Sequence, residues 1–91
     1  MAKRVRALVA GRVQNVGFRM FVLERAQALG LSGWVRNLPG GRQVELEAEG
    51  DDQAVERLLH AVRQGPAGAR VEDVAVEVQA ERGGSGGFTV R

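Results

Sequence analysis

The sequence contains no cysteine and only one histidine among its 91 residues. The absence of cysteine excludes disulfide bonds and thiolate metal ligands. A single histidine cannot supply the ligands of a histidine-based zinc site. The composition therefore predicts a chemistry that uses neither a disulfide nor a metal bound by cysteine or histidine.

Long apolar runs and a strong charge of one sign are also missing. No run approaches the ~18 apolar residues that a membrane span requires. The apolar part of the opening "MAKRVRALVAGR" is shorter than the ~7–15 residues of a signal peptide. The formal charge of +2 is too small to predict a nucleic-acid-binding protein. We therefore expect a cytoplasmic protein with no membrane or nucleic-acid partner.

Hydrophobic periodicity predicts the element order β-α-β-β-α-β. The predicted strands are "VRALVA", "SGWVRN", "RQVELEAEG" and "ARVEDVAVEVQA", and the predicted helices cover residues 18–29, ending at Gly30, and 51–64. "GGSGG" is predicted to be a flexible loop and "FTVR" a short terminal strand. This order is typical of an α+β, ferredoxin-like sandwich, with two helices on one face of a mainly antiparallel sheet. We expect a single domain over residues 1–91 and a monomer.

Several charged or aromatic residues favour a structural interpretation. Glu45, Glu47 and Glu49 alternate with apolar residues in one strand, which predicts a solvated sheet face rather than a metal site. His60 falls off the apolar face of the second helix and is expected to be exposed. Trp34 is expected to serve in packing.

The stretch "GRVQNVGFR", from Gly11 to Arg19, carries the functional prediction. A strand that bends sharply into a helix exposes N–H groups without intrahelical partners. Glycine permits the positive φ angles at which such groups converge, and the helix dipole adds positive potential. Arg19, at the start of the helix, could bind a phosphoryl group through its planar fork. The loop is therefore a candidate phosphate site, although its order is not that of a P-loop or a dinucleotide fold.

This stretch closely resembles the signature GxVQGVGFR of the acylphosphatase family. The resemblance continues through "LGLSGWVRN", "VELEAEG", "QGPAGARVEDVAVE" and "GFTVR", and so covers essentially the whole chain in the family's order. It implies a small ferredoxin-like enzyme that hydrolyses acyl phosphates to carboxylate and inorganic phosphate, without a metal or a cofactor. The expected partners are these two small molecules.

The resemblance also implies roles for individual residues. Arg19 is similar to the family's phosphate-binding catalytic arginine, and Asn37 to the residue that orients the attacking water. The phosphate-binding set would be Arg12, Val13, Gln14, Asn15, Val16, Gly17, Phe18 and Arg19. The signature contains no carboxylate or histidine, which fits an acyl phosphate because a carboxylate of pKa ~4 leaves without a general acid.

Two departures from the family pattern leave alternatives open. Asn15 replaces a glycine of the signature, but asparagine is among the few other residues that tolerate left-handed backbone angles. The turn in "NLPGGRQVE" is one residue longer than is common in the family. One alternative is a catalytically weak anion-binding or regulatory domain of the same fold. Another is a nucleic-acid-binding ferredoxin-like module, which the scarcity of aromatic residues makes a weaker interpretation.

Overall fold

A computed structural model describes residues 1–83 and 86–91 of the chain. These residues form five strands and two helices in the predicted order. They are β1 (Ala2–Arg12), α1 (Phe18–Ala28), β2 (Ser32–Asn37), β3 (Gln43–Asp51), α2 (Asp52–Gln64), β4 (Arg70–Gln79) and β5 (Phe88–Val90). The predicted terminal strand is confirmed as β5. The predicted flexible loop "GGSGG" includes residues 84–85, which lie outside the described residues.

The strands form one mixed sheet in the order β4-β1-β3-β2-β5. β1 pairs antiparallel with β3 and β4, β2 pairs antiparallel with β3, and β5 runs parallel to β2. This arrangement confirms the predicted ferredoxin-like sandwich. Its consequence for function is that the end of β1 and the end of β2 lie at the same edge of the sheet, on either side of the start of β3.

The apolar core lies between the sheet and the two helices. Phe18, Val22 and Ala26 of α1 are buried, as the helical spacing of the sequence predicts. The alternating face of β3 and the apolar face of α2 are also buried; the residues are Val44, Leu46, Ala48, Val55, Leu58, Leu59 and Val62. Burial of apolar surface contributes a stabilising free energy of ~25 cal/mol per Å². Burial of this common core is therefore the main contribution that holds both helices on the sheet.

The prediction of a solvated glutamate face on β3 is wrong. Glu45, Glu47 and Glu49 are only 2%, 8% and 5% exposed. Arginines from the adjacent strands cover them: Arg4 pairs with Glu47 and Glu49, and both Arg6 and Arg36 pair with Glu45. Period-2 alternation identifies which side chains of a strand share a face. It does not reveal that arginines of the neighbouring strands lie beside these glutamates once the strands are paired. Each of these three carboxylates therefore forms its ion pair with an arginine of the protein itself.

Two of these carboxylates have a lowered pKa. Two backbone N–H groups, of Arg82 and Gly83, donate to Glu49 at 3.0 and 2.8 Å, and together with the Arg4 guanidinium they hold its pKa below the ordinary value. Burial by itself would raise the pKa of Glu45, but hydrogen bonds from Arg36 and Arg6 outweigh it and lower that pKa. Both carboxylates therefore stay ionised at neutral pH, and their ion pairs with arginines link neighbouring strands on the charged face of the sheet.

The remaining structural expectations concern edges and exposed positions. Val74, Val76 and Val78 do mark a strand, but Val76 and Val78 are 38% and 67% exposed because β4 is an edge strand. His60 is exposed, as predicted. Trp34 packs against two guanidinium groups, those of Arg36 and Arg91. Neither α1 nor α2, the helices of the described residues, has the length and apolar content needed to cross a bilayer.

Candidate active site

The connection from β1 to α1 is a tight bend with left-handed backbone at two positions. Asn15 has φ 61° and Gly17 has φ 74°. Asn15 is the only non-glycine residue of the described chain with a positive φ. The substitution of asparagine for the signature's glycine is therefore accommodated by the backbone tolerance of asparagine.

Gly11 allows the end of β1 to approach its neighbours closely. Its N–H donates to the carbonyl of Arg42 at 3.0 Å, and a Cβ at this position would lie 2.1 Å from the carbonyl oxygen of Arg70. A side chain at position 11 would therefore push β1 away from β4, just where their register shifts. The bulge fixes the direction in which the chain leaves the sheet toward α1.

The first turn of α1 has no protein cap. Gly17 occupies the N-cap position. No side chain of the described residues bonds to the free N–H groups there, and the first turn contains no acidic residue. Within residues 1–83 and 86–91, no hydrogen bond to the protein has a main-chain N–H of residues 14–19 as its donor. A helix start of this kind carries unsatisfied donors and partial positive charge, and it attracts anions.

A cavity of about 180 Å³ lies against this bend. Its lining comes from the bend, the first turn of α1, the end of β2 and the end of β5. The lining residues are Val13, Asn15, Gly17, Phe18, Arg19, Met20, Asn37 and Val90. Arg19 and Asn37, distant in sequence and predicted to act together, thus line the same cavity.

Arg19 brings a guanidinium to the cavity. Its Nη1 donates to the main-chain oxygen of Arg91 at 3.2 Å, and among the described residues no aspartate or glutamate side chain lies within ion-pair distance of its guanidinium. This bond to Arg91 orients the guanidinium and uses one of its N–H groups. The other N–H groups of its fork can therefore serve an anion.

Asn37 is the last residue of β2 and pairs with Val44 of β3. In the part of the chain that the structure describes, its side-chain amide makes no hydrogen bond to the protein. Such an amide can accept a hydrogen bond from water and donate another to an oxygen anion. It has no useful basicity, so it can orient water but cannot take its proton.

Not all of the sequence-predicted phosphate-binding residues line the cavity. Five of them do, namely Val13, Asn15, Gly17, Phe18 and Arg19. Arg12 is exposed on the end of β1 opposite Arg70, Val16 packs against the apolar core, and the side chain of Gln14 turns toward the β2–β3 turn.

Two lining residues, Met20 and Val90, were not predicted from the sequence. Met20 follows Arg19 in α1 and is 54% exposed, an unusual value for a methionine. Val90 reaches the cavity because β5 pairs in parallel with β2, so that Val90 lies opposite Val35. The sequence of a short terminal strand does not indicate which strand it will pair with, so the contact of Val90 with the cavity could not be predicted from it.

The larger depressions of the surface lie elsewhere. A groove of about 440 Å³ runs between the helices and includes Phe21, Arg25 and His60, but neither Arg19 nor Asn37. The described residues contain no group of three or more histidine, cysteine, aspartate or glutamate side chains arranged to hold a metal ion. The chemistry of the small cavity is therefore that of a guanidinium, a helix start and an amide side chain.

The sequence and the fold of the chain are similar to those of known proteins. Residues 5–90 match the family described as Acylphosphatase. The chain is 56% identical over 88 residues to an acylphosphatase of Thermus thermophilus, covering 96% of this chain and 97% of the relative. It is 55% identical over 89 residues to an acylphosphatase of Rubrobacter xylanophilus, covering 98% and 80%. The crystal structure of acylphosphatase from Bacillus subtilis superposes with a TM-score of 0.92 at 37% identity, covering 100% of this chain and 99% of that one.

Proposed function

The chain belongs to the acylphosphatase family, and from this premise we propose that it hydrolyses acyl phosphates by binding the phosphoryl group with Arg19 and the start of α1 while Asn37 orients the water. Its family and fold support acyl phosphate hydrolysis in general. The observation that carries the finer proposal is that Arg19, Asn37 and the uncapped first turn of α1 all border one small cavity.

The reaction is a displacement at phosphorus. The water oxygen forms a bond to phosphorus while the bond from phosphorus to the acyl oxygen breaks, and the carboxylate leaves with that electron pair. Charge on the equatorial phosphoryl oxygens is stabilised by the Arg19 guanidinium and the free N–H groups of the bend, donors that need no reorganisation during the reaction. The leaving carboxylate needs no general acid because its conjugate acid has a pKa of ~4.

The water's proton is assigned to a phosphoryl oxygen of the substrate. Asn37 cannot accept it, and the described residues that line the cavity include no aspartate, glutamate or histidine. The kcat should therefore stay constant across roughly pH 6 to 8, where no lining side chain has its ordinary pKa. A limb in that range that reports an essential base on the enzyme would overturn this assignment.

The direct test is an assay of the purified chain with benzoyl phosphate, in buffer without metal and with a chelator present. We expect hydrolysis to benzoate and inorganic phosphate that the chelator does not change, and no comparable hydrolysis of p-nitrophenyl phosphate. A preparation of Arg19→Ala made in the same way controls for contaminating phosphatases. Loss of activity with the chelator would overturn metal independence.

The same assay separates the two alternatives. Binding of inorganic phosphate without hydrolysis of benzoyl phosphate would favour the weak anion-binding domain over the enzyme. A base-stacking module receives no support from the open face of the sheet, where β1 and β3 present arginine–glutamate pairs and the Trp34 ring is covered by Arg36 and Arg91. Absence of RNA binding at low salt would agree with the rejection of a nucleic-acid-binding module.

A further inference from the structure

The side chain of Gln14 links the bend to a different part of the molecule. Its Nε2 donates to the carbonyl of Leu38 at 2.8 Å and to the carbonyl of Gln43 at 2.9 Å. A glutamine amide has two N–H donors, and both are engaged here. Gln14 is half-buried and does not line the cavity, so its side chain is engaged with the protein rather than with an anion.

The two carbonyls that Gln14 binds lie at the base of the β2–β3 turn. Asn37 and Val44 form the last strand pair before this turn, and the N–H of Leu38 donates to the same Gln43 carbonyl at 3.0 Å. Leu38 directly follows Asn37 in the chain. The amide of Gln14 therefore fixes the main chain at the residue next to the one that we propose orients the water.

Among the hydrogen bonds of the described residues, a main-chain bond reinforces this link on one side only. Gly11 donates to Arg42 at 3.0 Å and holds β1 to the β3 side of the turn. On the β2 side, which carries Asn37, the bond from Gln14 to the Leu38 carbonyl supplies the contact with the bend. Loss of the Gln14 donors would thus leave the end of β2 connected to the bend only indirectly, through its pairing with β3.

We propose that Gln14 is a positioning residue for hydrolysis, which holds the Asn37 side chain at a fixed distance from the phosphoryl group bound by the bend and Arg19. This inference rests on the proposed function, and specifically on the role of Asn37. Its physical basis is that displacement of a reacting or orienting group by ~1 Å can lower a rate by ~10²-fold.

Gln14→Met tests the proposal, because methionine has nearly the shape of glutamine but no N–H donor and no charge. We expect kcat for benzoyl phosphate to fall by roughly tenfold to a hundredfold. The inhibition constant of inorganic phosphate should stay within about twofold, since Arg19 and the start of α1 are untouched and each factor of ten corresponds to ~1.4 kcal/mol of binding. Gln27→Glu, an exposed change within α1, is the control and should leave both quantities unchanged.

A double-mutant cycle separates positioning through Asn37 from a merely structural effect. In the Asn37→Ala background, Gln14→Met should cause little further loss of kcat, because the group that it positions is already absent. If Gln14→Met lowered kcat by the same factor in both backgrounds, the two residues would act independently and the proposal would be wrong. Should Gln14→Met not fold, Gln14→Asn, whose amide is one methylene too short to reach both carbonyls, gives the same two readouts.

The cycle also distinguishes failure of this inference from failure of the proposed function. If the wild-type chain does not hydrolyse benzoyl phosphate, or if Asn37→Ala keeps wild-type kcat, the proposed function and the role of Gln14 are both overturned. If the wild type is active and Asn37→Ala is impaired, yet Gln14→Met keeps wild-type kcat, only the role of Gln14 is overturned.

Discussion

Each helix follows a strand in the chain, α2 directly and α1 after the bend, and their first turns differ. At α2, Asp51 closes β3 and serves as the N-cap, and its carboxylate accepts a hydrogen bond from the N–H of Gln53 at 3.2 Å. Asp52 adds a second carboxylate in the first turn. At α1, Gly17 occupies the N-cap in a left-handed conformation, and the first turn, all of which is described, contains neither a capping side chain nor an acid.

The difference separates stability from binding. A capping side chain such as Asp51 contributes ~1 kcal/mol to stability, and a carboxylate near the helix start adds ~0.3–1 kcal/mol. α1 forgoes both contributions, so its free N–H groups and partial positive charge stay available to a ligand. Arg19 adds a full charge at the same end. The two helix starts can therefore be altered separately, one for function and one for stability.

The largest expected effect is that of Arg19→Ala at the start of α1. Removal of one preorganised donor from a site of this kind costs ~10²–10³ in rate, and here the full charge is lost as well. We expect hydrolysis of acyl phosphates and inhibition by phosphate to fall below detection, while the circular dichroism spectrum stays that of the wild type.

Arg25→Ala is the matched control, because Arg25 lies in the last turn of the same helix and contacts the Phe21 ring instead of the cavity. It should retain activity. Near-normal turnover by Arg19→Ala would show that the charge at the start of α1 has no part in catalysis.

A smaller effect is expected when the start of α1 is made to resemble that of α2. Gly17→Asp would bring a carboxylate to the free N–H groups, whereas Gly17→Asn introduces nearly the same shape without charge. A Cβ at Gly17 meets no atom within 4 Å, and the strain of φ 74° is common to both variants. Their difference therefore reports charge alone.

Inhibition by phosphate should weaken at least ~10-fold more in Gly17→Asp than in Gly17→Asn, since a factor of ten needs only ~1.4 kcal/mol of repulsion. Measurement of the phosphate inhibition constant in both variants at low salt decides the matter. Equal constants would mean that the anion binds away from this helix start.

The two helix starts also show what the sequence could and could not predict. The two helices and the glycine-bearing bend before α1 follow from local residue preferences, and the structure confirms these elements. The burial of Glu45 was missed because it depends on Arg6 and Arg36, which reach it only through strand pairing. Local patterns predict elements, whereas cross-strand charge pairing requires the register.

The candidate site was predictable to a similar extent. Arg19 and Asn37 were predicted from the resemblance, and they line one cavity, although their roles stay predictions until the variants are assayed. The side chain of Gln14 and the contribution of Val90 had no local signal, because each depends on how distant segments meet. Loop side chains that bond to distant main chain are thus the part of a site that sequence patterns miss.

The smallest expected effect is that of Asp51→Ala at the start of α2. The variant removes the cap of Gln53 and the 3.6 Å ion pair with the chain's amino terminus, a pair between exposed groups that contributes little. We expect the free energy of unfolding to fall by ~1 kcal/mol with unchanged kcat and phosphate inhibition. Asp51→Asn, which keeps a capping oxygen, should lose much less stability. Urea unfolding tests the loss of stability, and the benzoyl phosphate assay on the same samples tests the unchanged activity. A fall in kcat for the folded variant would mean that the start of α2 is coupled to the cavity. The two helix starts would then not be separable.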